Sequence, residues 1–299
     1  MPWEVVVQVA WVGRYRRGGP AGRCWAWREG GGWLTAVLDN RGAFTGDSVC
    51  FLYPDLETAL VGRWEEGEMV RGAPALLTGF RVVRGVGEPE LEVAEGPGVG
   101  RAISTEVSVG PGPLVRDPYE SRVCRVQSSG VEGGGEGLYA ARRLQAGEVV
   151  AFYNGVRLPY VPGQKEDWAT SGYKIFVNAD HSSGERIDLP GALVHTTNYC
   201  ATLGHKMNHS FDYNCVEWIF EHPRHGMVPC ARTRRQVEEG EELLLHYGYD
   251  PGNCPPWYSA ALATFLKDNP DLDHDIVVEP GYKEGGRKEC LRDPDPLAG

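Results

Sequence analysis

The sequence predicts a mostly β protein, and three observations support that prediction. Forty glycines and 21 prolines make turns frequent along the 299 residues, so the strands between them are expected to be short. Nine tryptophans and 13 tyrosines favour strands over a helical bundle. Hydrophobic residues make up 41% of the chain, which is enough for a sizeable core, and this length is typical of about two domains.

Charge and missing motifs exclude several functional classes. The formal net charge of -11 argues against direct binding to nucleic acid. No apolar run approaches the roughly 18 residues that a membrane span requires. The eight cysteines include no CxxC pair, so we expect reduced thiols and no metal site. The chain also lacks GxSxG, HExxH and phosphate-loop motifs.

A degenerate repeat occupies the first 80 residues. Residues 13–18 (GRYRRG) are echoed by residues 62–67 (GRWEEG), and a weaker copy lies between them at residues 41–46 (RGAFTG). Aromatic and β-branched residues separate these turn glycines, which predicts stacked hairpins. The unit resembles the MORN repeat, whose hairpins stack into an elongated open sheet, and we assign it to residues 1–80.

Three further regions follow the repeat. Residues 81–116 are expected to form a β-rich connecting segment with strands over 80–83, 91–93 and 103–109. Residues 117–250 alternate short strands with glycine turns. A helix is predicted around residues 256–267, because proline stands at its start and apolar residues recur at helical spacing. Residues 268–299 are charged and rich in proline and glycine, which predicts a loosely ordered polar tail.

Four segments contain the residues most suited to chemistry: 135–139 (GEGLY), 152–155 (FYNG), 204–211 (GHKMNHSF) and 241–250 (EELLLHYGYD). Asn208 and His209 supply donors and acceptors suited to a polar ligand. Tyr153, Tyr247 and Tyr249 suit a narrow aromatic slot that accepts a cation. Each tyrosine taken alone fits equally well as a packed strand residue whose hydroxyl is satisfied.

In their order and spacing, the four segments resemble the SET domain of protein-lysine methyltransferases. Other segments, including 52–55 (LYPD), 117–121 (DPYES) and 167–169 (DWA), are similar to one subfamily. That subfamily combines MORN repeats with a SET domain and was first described as a histone H3 lysine 4 monomethylase. The resemblance extends over residues 15–266. It implies a SET-domain β fold over residues 117–250 and a C-terminal helical segment, residues 251–267, that closes the lysine channel.

The resemblance also implies a cofactor and a set of site residues. S-adenosylmethionine is expected to enter from one face and the target lysine from the other, and an apolar channel favours the uncharged amine that attacks. The implied catalytic residues are Tyr247, Tyr153, Tyr249 and Glu217. The implied cofactor-binding residues are Gly135, Glu136, Gly137, Lys206, Asn208, His209 and Trp257.

Three positions depart from the subfamily pattern. Glu217 stands where the subfamily has a channel tyrosine, Tyr173 replaces an asparagine near the cofactor, and Ala261 replaces a glutamate that reaches it. The resemblance implies a monomer that methylates a lysine-containing protein, such as the histone H3 tail, in the nucleus or the cytoplasm. Two alternatives are a catalytically weak SET protein that only binds lysine-bearing tails, and a scaffold whose MORN sheet binds partners or lipid head groups.

Overall fold

The N-terminal unit is one antiparallel sheet whose strands pair in chain order. The computed structural model describes residues 11–16, 19–96, 98–161, 172–177 and 184–270. A short additional strand, β8, pairs with β6. The strands are β1 (Trp11–Arg16), β2 (Gly19–Trp27), β3 (Trp33–Val37), β4 (Gly46–Leu52), β5 (Thr58–Glu65), β6 (Glu68–Val83), β7 (Val86–Val93) and β8 (Val99–Gly100).

Two of the repeated glycine segments include connections between these strands. Residues 41–46 lead from β3 into β4, and residues 62–67 end in the tight turn between β5 and β6. Gly62 lies opposite Gly72, and a Cβ on Gly62 would come within 2.2 Å of the Arg71 carbonyl oxygen. Glycine is therefore required where the two strands come this close. The predicted N-terminal hairpin sheet is confirmed.

One face of this sheet packs directly against the C-terminal part of the chain. Phe51 and Tyr53 are buried in the same hydrophobic cluster as Phe152 and Phe220. The rings of Phe51 and Phe220 lie 6.3 Å apart, and Tyr53 stacks on Tyr119 at 5.3 Å. Aromatic burial of this kind dominates the energetics of cores and interfaces, so the sheet is one wall of a shared core.

The C-terminal part consists of small sheets that combine pairs of consecutive strands with pairs of strands distant in sequence. The sheet orders are β10-β9, β12-β14-β13 and β11-β17-β16-β18-β15. Two 3-10 helices, Gly191–Leu193 and Gly204–Lys206, lie in the connections. The remaining elements are α1 (Glu120–Val123), β9 (Cys124–Ser128), β10 (Glu136–Ala140), β11 (Val149–Phe152), β12 (Val156–Pro159), β13 (Lys174–Phe176), β14 (Glu185–Asp188), β15 (Asn208–His209), β16 (Cys215–His222), β17 (Gly226–Thr233), β18 (Leu244–Leu245) and α2 (Pro256–Asp268).

Most element predictions agree with the structure, and one is wrong. Residues 80–83 and 91–93 end β6 and β7, and the predicted helix is α2. Residues 103–109 do not form a strand. Thr105 and Ser108 make an isolated bridge around a turn, and Val107 is 91% exposed, so the segment has no neighbouring strand to pair with. The predicted polar tail lies mostly outside the described residues.

Three features of the described residues bear on functional class. No helix among them has the length and apolar character needed to cross a membrane. Their seven cysteines are free thiols. Within the same ranges, no three histidine, cysteine or acidic side chains are grouped so that they could share a metal ion.

Candidate active site

The site begins at the glycine-rich turn that leads into β10. Gly133 and Gly135 have positive φ angles of 72° and 62°, which residues with a side chain rarely adopt. The Glu242 carboxylate accepts hydrogen bonds from the Gly130 amide at 2.9 Å and the Ser129 hydroxyl at 2.6 Å. A Cβ on Gly137 would lie 2.3 Å from a Glu242 oxygen. Glu242 therefore fixes the turn, and the absence of a side chain at Gly137 lets β10 approach the Glu242 carboxylate.

Glu136, the first residue of β10, forms an ion pair with Lys206. The Lys206 Nζ lies 2.7 Å from a Glu136 carboxylate oxygen and also donates to the Val194 carbonyl. The Thr196 hydroxyl donates to Glu136 at 2.8 Å. Burial alone would raise the pKa of Glu136, but the hydrogen bonds from Lys206 and Thr196 outweigh it and leave the pKa below its ordinary value. Lys206 is only 6% exposed, whereas the Glu136 side chain is 25% exposed, so the pair joins a buried ammonium to a partly exposed carboxylate.

Asn208 and His209 form β15, which runs parallel to β18. The Asn208 side-chain amide donates to the Glu136 carbonyl at 3.1 Å, so β15 is tied to β10. The His209 Nδ1 accepts the Tyr247 amide at 3.2 Å, which places the ring proton on Nε2. Nε2 is buried and has no partner among the described residues. Burial, with a smaller contribution from His246, lowers the pKa of His209 to about 3, so the ring is neutral.

Helix α2 brings Trp257 against this group. Pro256 is the first residue of the helix, and the buried Tyr258 packs on the His209 ring at 4.8 Å. The Trp257 ring lies 5.9 Å from His209 and 6.2 Å from Tyr247, while about half of its surface remains exposed. The helix is thus anchored by Tyr258 and presents an accessible indole beside His209.

A second group of site residues is built around three tyrosines, Tyr153, Tyr247 and Tyr249. The Tyr247 hydroxyl donates to the Met207 carbonyl at 2.7 Å, and the Tyr153 hydroxyl donates to the Tyr173 carbonyl at 2.7 Å. The Tyr249 ring meets Tyr247 edge-on at 5.6 Å. Burial raises the pKa of Tyr153, Tyr247 and Tyr249, so all three hydroxyls keep their protons at neutral pH.

These tyrosines line a narrow cavity of about 60 Å³. Glu217, from β16, lines the same cavity and contributes to the raised pKa of Tyr249, after burial and Tyr258. The full lining is Tyr153, Gly172, Tyr173, Lys174, Ile175, Gly204, His205, Met207, Glu217, Leu245, Tyr247 and Tyr249. A cavity of this small volume suits a slender, linear side chain, and the carboxylate and aromatic rings suit a cation.

The structure therefore brings the residues expected from the sequence into two adjoining groups. The four expected catalytic residues share the cavity, and the expected cofactor residues lie around Glu136, Lys206 and His209. Met207 connects the groups, because it follows Lys206 in the chain and accepts the Tyr247 hydroxyl. Of the departing positions, Tyr173 lines the cavity and Ala261 lies on α2.

Sequence reasoning missed several residues of the site. Glu242 stands within the 241–250 motif, but the motif does not indicate that its carboxylate accepts hydrogen bonds from the glycine turn. Thr196 donates to Glu136 and lies shortly before the 204–211 motif, so only its closeness to that motif indicates it. His205 lines the cavity and stands within the motif, but no sequence pattern singles it out. For Lys174 at the cavity wall, the sequence contains no signal that we can identify.

Comparison with known proteins identifies the family. Residues 15–84 match the family described as histone H3 K4-specific methyltransferase SET7 N-terminal, and residues 135–248 match the SET domain. Histone-lysine N-methyltransferase SETD7 of Halocynthia roretzi is 37% identical over 276 residues, covering 88% of this chain and 69% of that protein. The chain belongs to the SET-domain protein-lysine methyltransferases. The resemblance found in its motifs is confirmed, and S-adenosylmethionine is the methyl donor of this SET methyltransferase.

Solved structures of Polycomb repressive complex 2 show weaker overall similarity. Polycomb repressive complex 2 of Chaetomium thermophilum, in an autoinhibited conformation bound to S-adenosylmethionine, is 21% identical with a TM-score of 0.33, and the match covers 49% of this chain and 17% of that chain. An active Polycomb repressive complex 2 in the basal state is 24% identical with a TM-score of 0.33, covering 43% of this chain and 15% of that one. This chain spans less than a fifth of the length of either.

Proposed function

We propose that this SET methyltransferase methylates a lysine of the histone H3 tail in the nucleus. The observation that carries the proposal is the cavity that joins Tyr153, Glu217, Tyr247 and Tyr249 and borders the Glu136–Lys206 site through Met207. The relative from Halocynthia roretzi is a histone-lysine methyltransferase, which supports this substrate. The net charge of -11 also complements a basic tail.

The residues around Glu136 fit S-adenosylmethionine. The adjacent ammonium and carboxylate of Lys206 and Glu136 complement the carboxylate and ammonium of its methionine part. The His209 Nε2 proton, which has no partner among the described residues, and the half-exposed Trp257 ring suit a flat heterocycle that accepts hydrogen bonds and stacks. Asn208 and the glycines at 135 and 137 shape the wall beside them. When bound, S-adenosylmethionine supplies an electrophilic methyl group on a sulfonium.

The tyrosine-lined cavity would position the substrate lysine and favour release of its ammonium proton to solvent before transfer. Only an uncharged amine can attack a methyl group, and transfer from water into a narrow cavity lowers the pKa of a lysine ammonium. The Tyr153 and Tyr247 hydroxyls donate hydrogen bonds to backbone carbonyls, which fixes the two rings. The oxygen lone pairs are not used in these bonds. Alignment of the amine in this slot is expected to supply much of the rate enhancement.

Glu217 acts against that deprotonation. A carboxylate near the amine attracts the ammonium form and raises the pKa of the substrate lysine. The same attraction holds the lysine side chain in the cavity. Replacement of Glu217 by glutamine should therefore shift the rising limb of kcat against pH toward lower pH, and Glu217→Tyr should act in the same direction. Product analysis of Glu217→Tyr would also show whether the carboxylate changes the number of methyl groups that are added.

The test is methyl transfer from isotope-labelled S-adenosylmethionine to an H3 tail peptide, with a second peptide in which arginine replaces each lysine. We expect label only in the first peptide, with mono-, di- and trimethyl products resolved by mass spectrometry. Absence of transfer to the first peptide, with S-adenosylmethionine still bound in calorimetry, would contradict the histone tail as substrate.

A second candidate function is recognition of lysine-bearing tails with little transfer. The observation that favours it is Glu217 in the cavity, because a carboxylate there stabilises the non-nucleophilic ammonium. In that case wild-type protein binds the H3 peptide without labelling it, and Glu217→Tyr gains transfer. Transfer by the wild type at a rate equal to or above that of Glu217→Tyr would contradict this candidate.

A further inference from the structure

A fully buried carboxyl group lies behind the cavity and takes no direct part in the site described above. Glu120, the first residue of α1, has no exposed surface. One of its oxygens, Oε1, accepts the Phe152 amide at 2.6 Å and the Leu203 amide at 3.0 Å. The other oxygen, Oε2, is buried without a hydrogen-bond partner among the described residues. A single oxygen of Glu120 thus ties together two segments that are far apart in sequence.

Both of these segments lead directly into the site. Phe152 precedes Tyr153, whose side chain lines the cavity, and Leu203 precedes the 3-10 helix Gly204–Lys206. A Cβ on Gly204 would lie only 2.6 Å from the Phe152 carbonyl oxygen, so the two backbones are in direct contact at this point. The position of one segment relative to the other therefore sets the distance between the tyrosine wall and the residues around Lys206.

Glu120 is itself held by a network that reaches the N-terminal sheet. Asp117 Oδ1 accepts the amides of Tyr119 at 2.9 Å and Glu120 at 3.0 Å. Its second oxygen accepts the Tyr53 hydroxyl at 2.6 Å and lies 3.0 Å from His222 Nε2. The His222 Nδ1 accepts the Arg224 amide, so Nε2 carries the proton that it donates to Asp117. Asp117 is thereby satisfied on both oxygens and orients the turn that presents Glu120.

We infer that Glu120 is a positioning residue for methyl transfer, whose carboxyl oxygen sets the relative position of Tyr153 and the Gly204–Lys206 turn. The inference rests on the assignment of the cavity as the lysine channel. Its requirement is an acceptor oxygen at this point rather than a negative charge. Burial, followed by the proximity of Asp117, raises the pKa of Glu120, so its surroundings disfavour a negative charge, whereas Oε1 accepts both amides.

The test compares three substitutions at this position. Glu120→Gln keeps an acceptor oxygen at the same distance, so we expect kcat within about threefold of wild type. Glu120→Met removes the acceptor and leaves two buried amides unpaired. Because a displacement of about 1 Å costs roughly 10²-fold in rate, we expect kcat of the folded protein to fall 10- to 100-fold. Glu120→Asp withdraws the oxygen by one methylene, so its kcat should fall as well. This variant provides the test if Glu120→Met does not fold.

The control is Val237→Ala, which removes fully buried volume from a residue whose backbone pairs with Leu144. It should lower the thermal midpoint without changing kcat of the folded fraction. Two results would overturn the inference: kcat unchanged in both Glu120→Met and Glu120→Asp, or Glu120→Gln as impaired as Glu120→Met. Wild-type transfer and its loss in Tyr247→Phe test the channel assignment independently, so failure of that assignment would be seen separately.

Discussion

The N-terminal sheet and the C-terminal SET region are built in contrasting ways from similar strands. In the sheet, β1 to β7 pair in chain order, so the partner of each strand is its neighbour along the chain. In the SET region, the largest sheet has the order β11-β17-β16-β18-β15, and one 3-10 helix reaches the cavity from a connection. The site lies where distant segments meet. Pairing between successive strands thus forms the N-terminal sheet, whereas pairing between distant segments of the SET region brings different side chains together around the cavity.

The largest expected effect comes from breaking a close backbone contact in each region. Gly204→Ala places a Cβ 2.6 Å from the Phe152 carbonyl oxygen, and Gly62→Ala places one 2.2 Å from the Arg71 carbonyl oxygen. Both should lower the thermal midpoint. Only Gly204→Ala should also lower kcat of the folded protein, by about 10²-fold, because it displaces the segment beside Tyr153. Steady-state kinetics corrected for the folded fraction checks this, and equal kcat losses in both variants would refute the distinction.

A smaller effect is expected for the affinity of the methyl donor. Lys206→Met removes a buried ammonium that forms the ion pair with Glu136, and hydrogen bonds to charged groups contribute about 1.5–3 kcal/mol. The Kd for S-adenosylmethionine in calorimetry should rise at least tenfold. Lys267→Met, at an exposed position near the end of α2, is the matched control and should leave Kd unchanged. Unchanged affinity in Lys206→Met would remove this residue from the proposed site.

Acid should lower the stability of the SET region more than that of the N-terminal sheet, because the sequence contains no histidine before residue 181. Burial, and then Lys206, lowers the pKa of His205 to about 3; burial, and then His246, lowers that of His209 to about 3. Between about pH 6.5 and 3 the unfolded chain binds protons that the folded protein does not. Stability is therefore complete above pH 6.5 and falls as the pH drops, by about 2 kcal/mol per histidine at pH 5.

Urea unfolding at pH 7.5 and pH 5.0 measures this loss. His205→Gln should make the difference between the two pH values smaller, whereas His195→Gln, at a side chain 60% exposed, should not. The same pH-dependent loss in wild type and His205→Gln would show that this ring does not contribute.

The smallest effect is expected at the surface of the N-terminal sheet. Arg63 and Glu65 form a 2.8 Å ion pair whose side chains are more than half exposed. Exposed pairs contribute about 0–1 kcal/mol, so Arg63→Ala should change the free energy of unfolding by no more than that and leave kcat unaltered. Chemical denaturation and the methyl-transfer assay check both parts, and a loss of kcat would show that this face supports the site.

The same contrast explains what could be predicted from the sequence. The hairpins were predictable because their information is local: turn glycines such as Gly67, and strand glycines such as Gly62, recur at the spacing of the strands. Motifs also indicate the tyrosines of the proposed lysine channel, and the structure places Tyr153 and Tyr247 around one cavity. Each of these signals lies within a few consecutive residues.

What could not be predicted depends on contacts between distant positions. The bonds from Glu120 to residues 152 and 203 cross separations of 32 and 83 residues, so no local pattern indicates them. The alternation in residues 103–109 suggested a strand, yet a strand requires a neighbour, and the chain turns there instead. Burial and pairing decided both outcomes, and neither is visible in a short window of sequence.

The most direct test of the account compares two tyrosines that differ in their relation to the cavity. Tyr247 lines it and donates to the Met207 carbonyl, whereas Tyr213 packs against His246 and Arg234 and does not line it. Each is changed to phenylalanine, and methyl transfer to the H3 tail peptide is measured at saturating S-adenosylmethionine. We predict that Tyr247→Phe loses transfer by at least about 10²-fold while Tyr213→Phe retains it. Full transfer by Tyr247→Phe would contradict the assignment of this cavity as the catalytic channel.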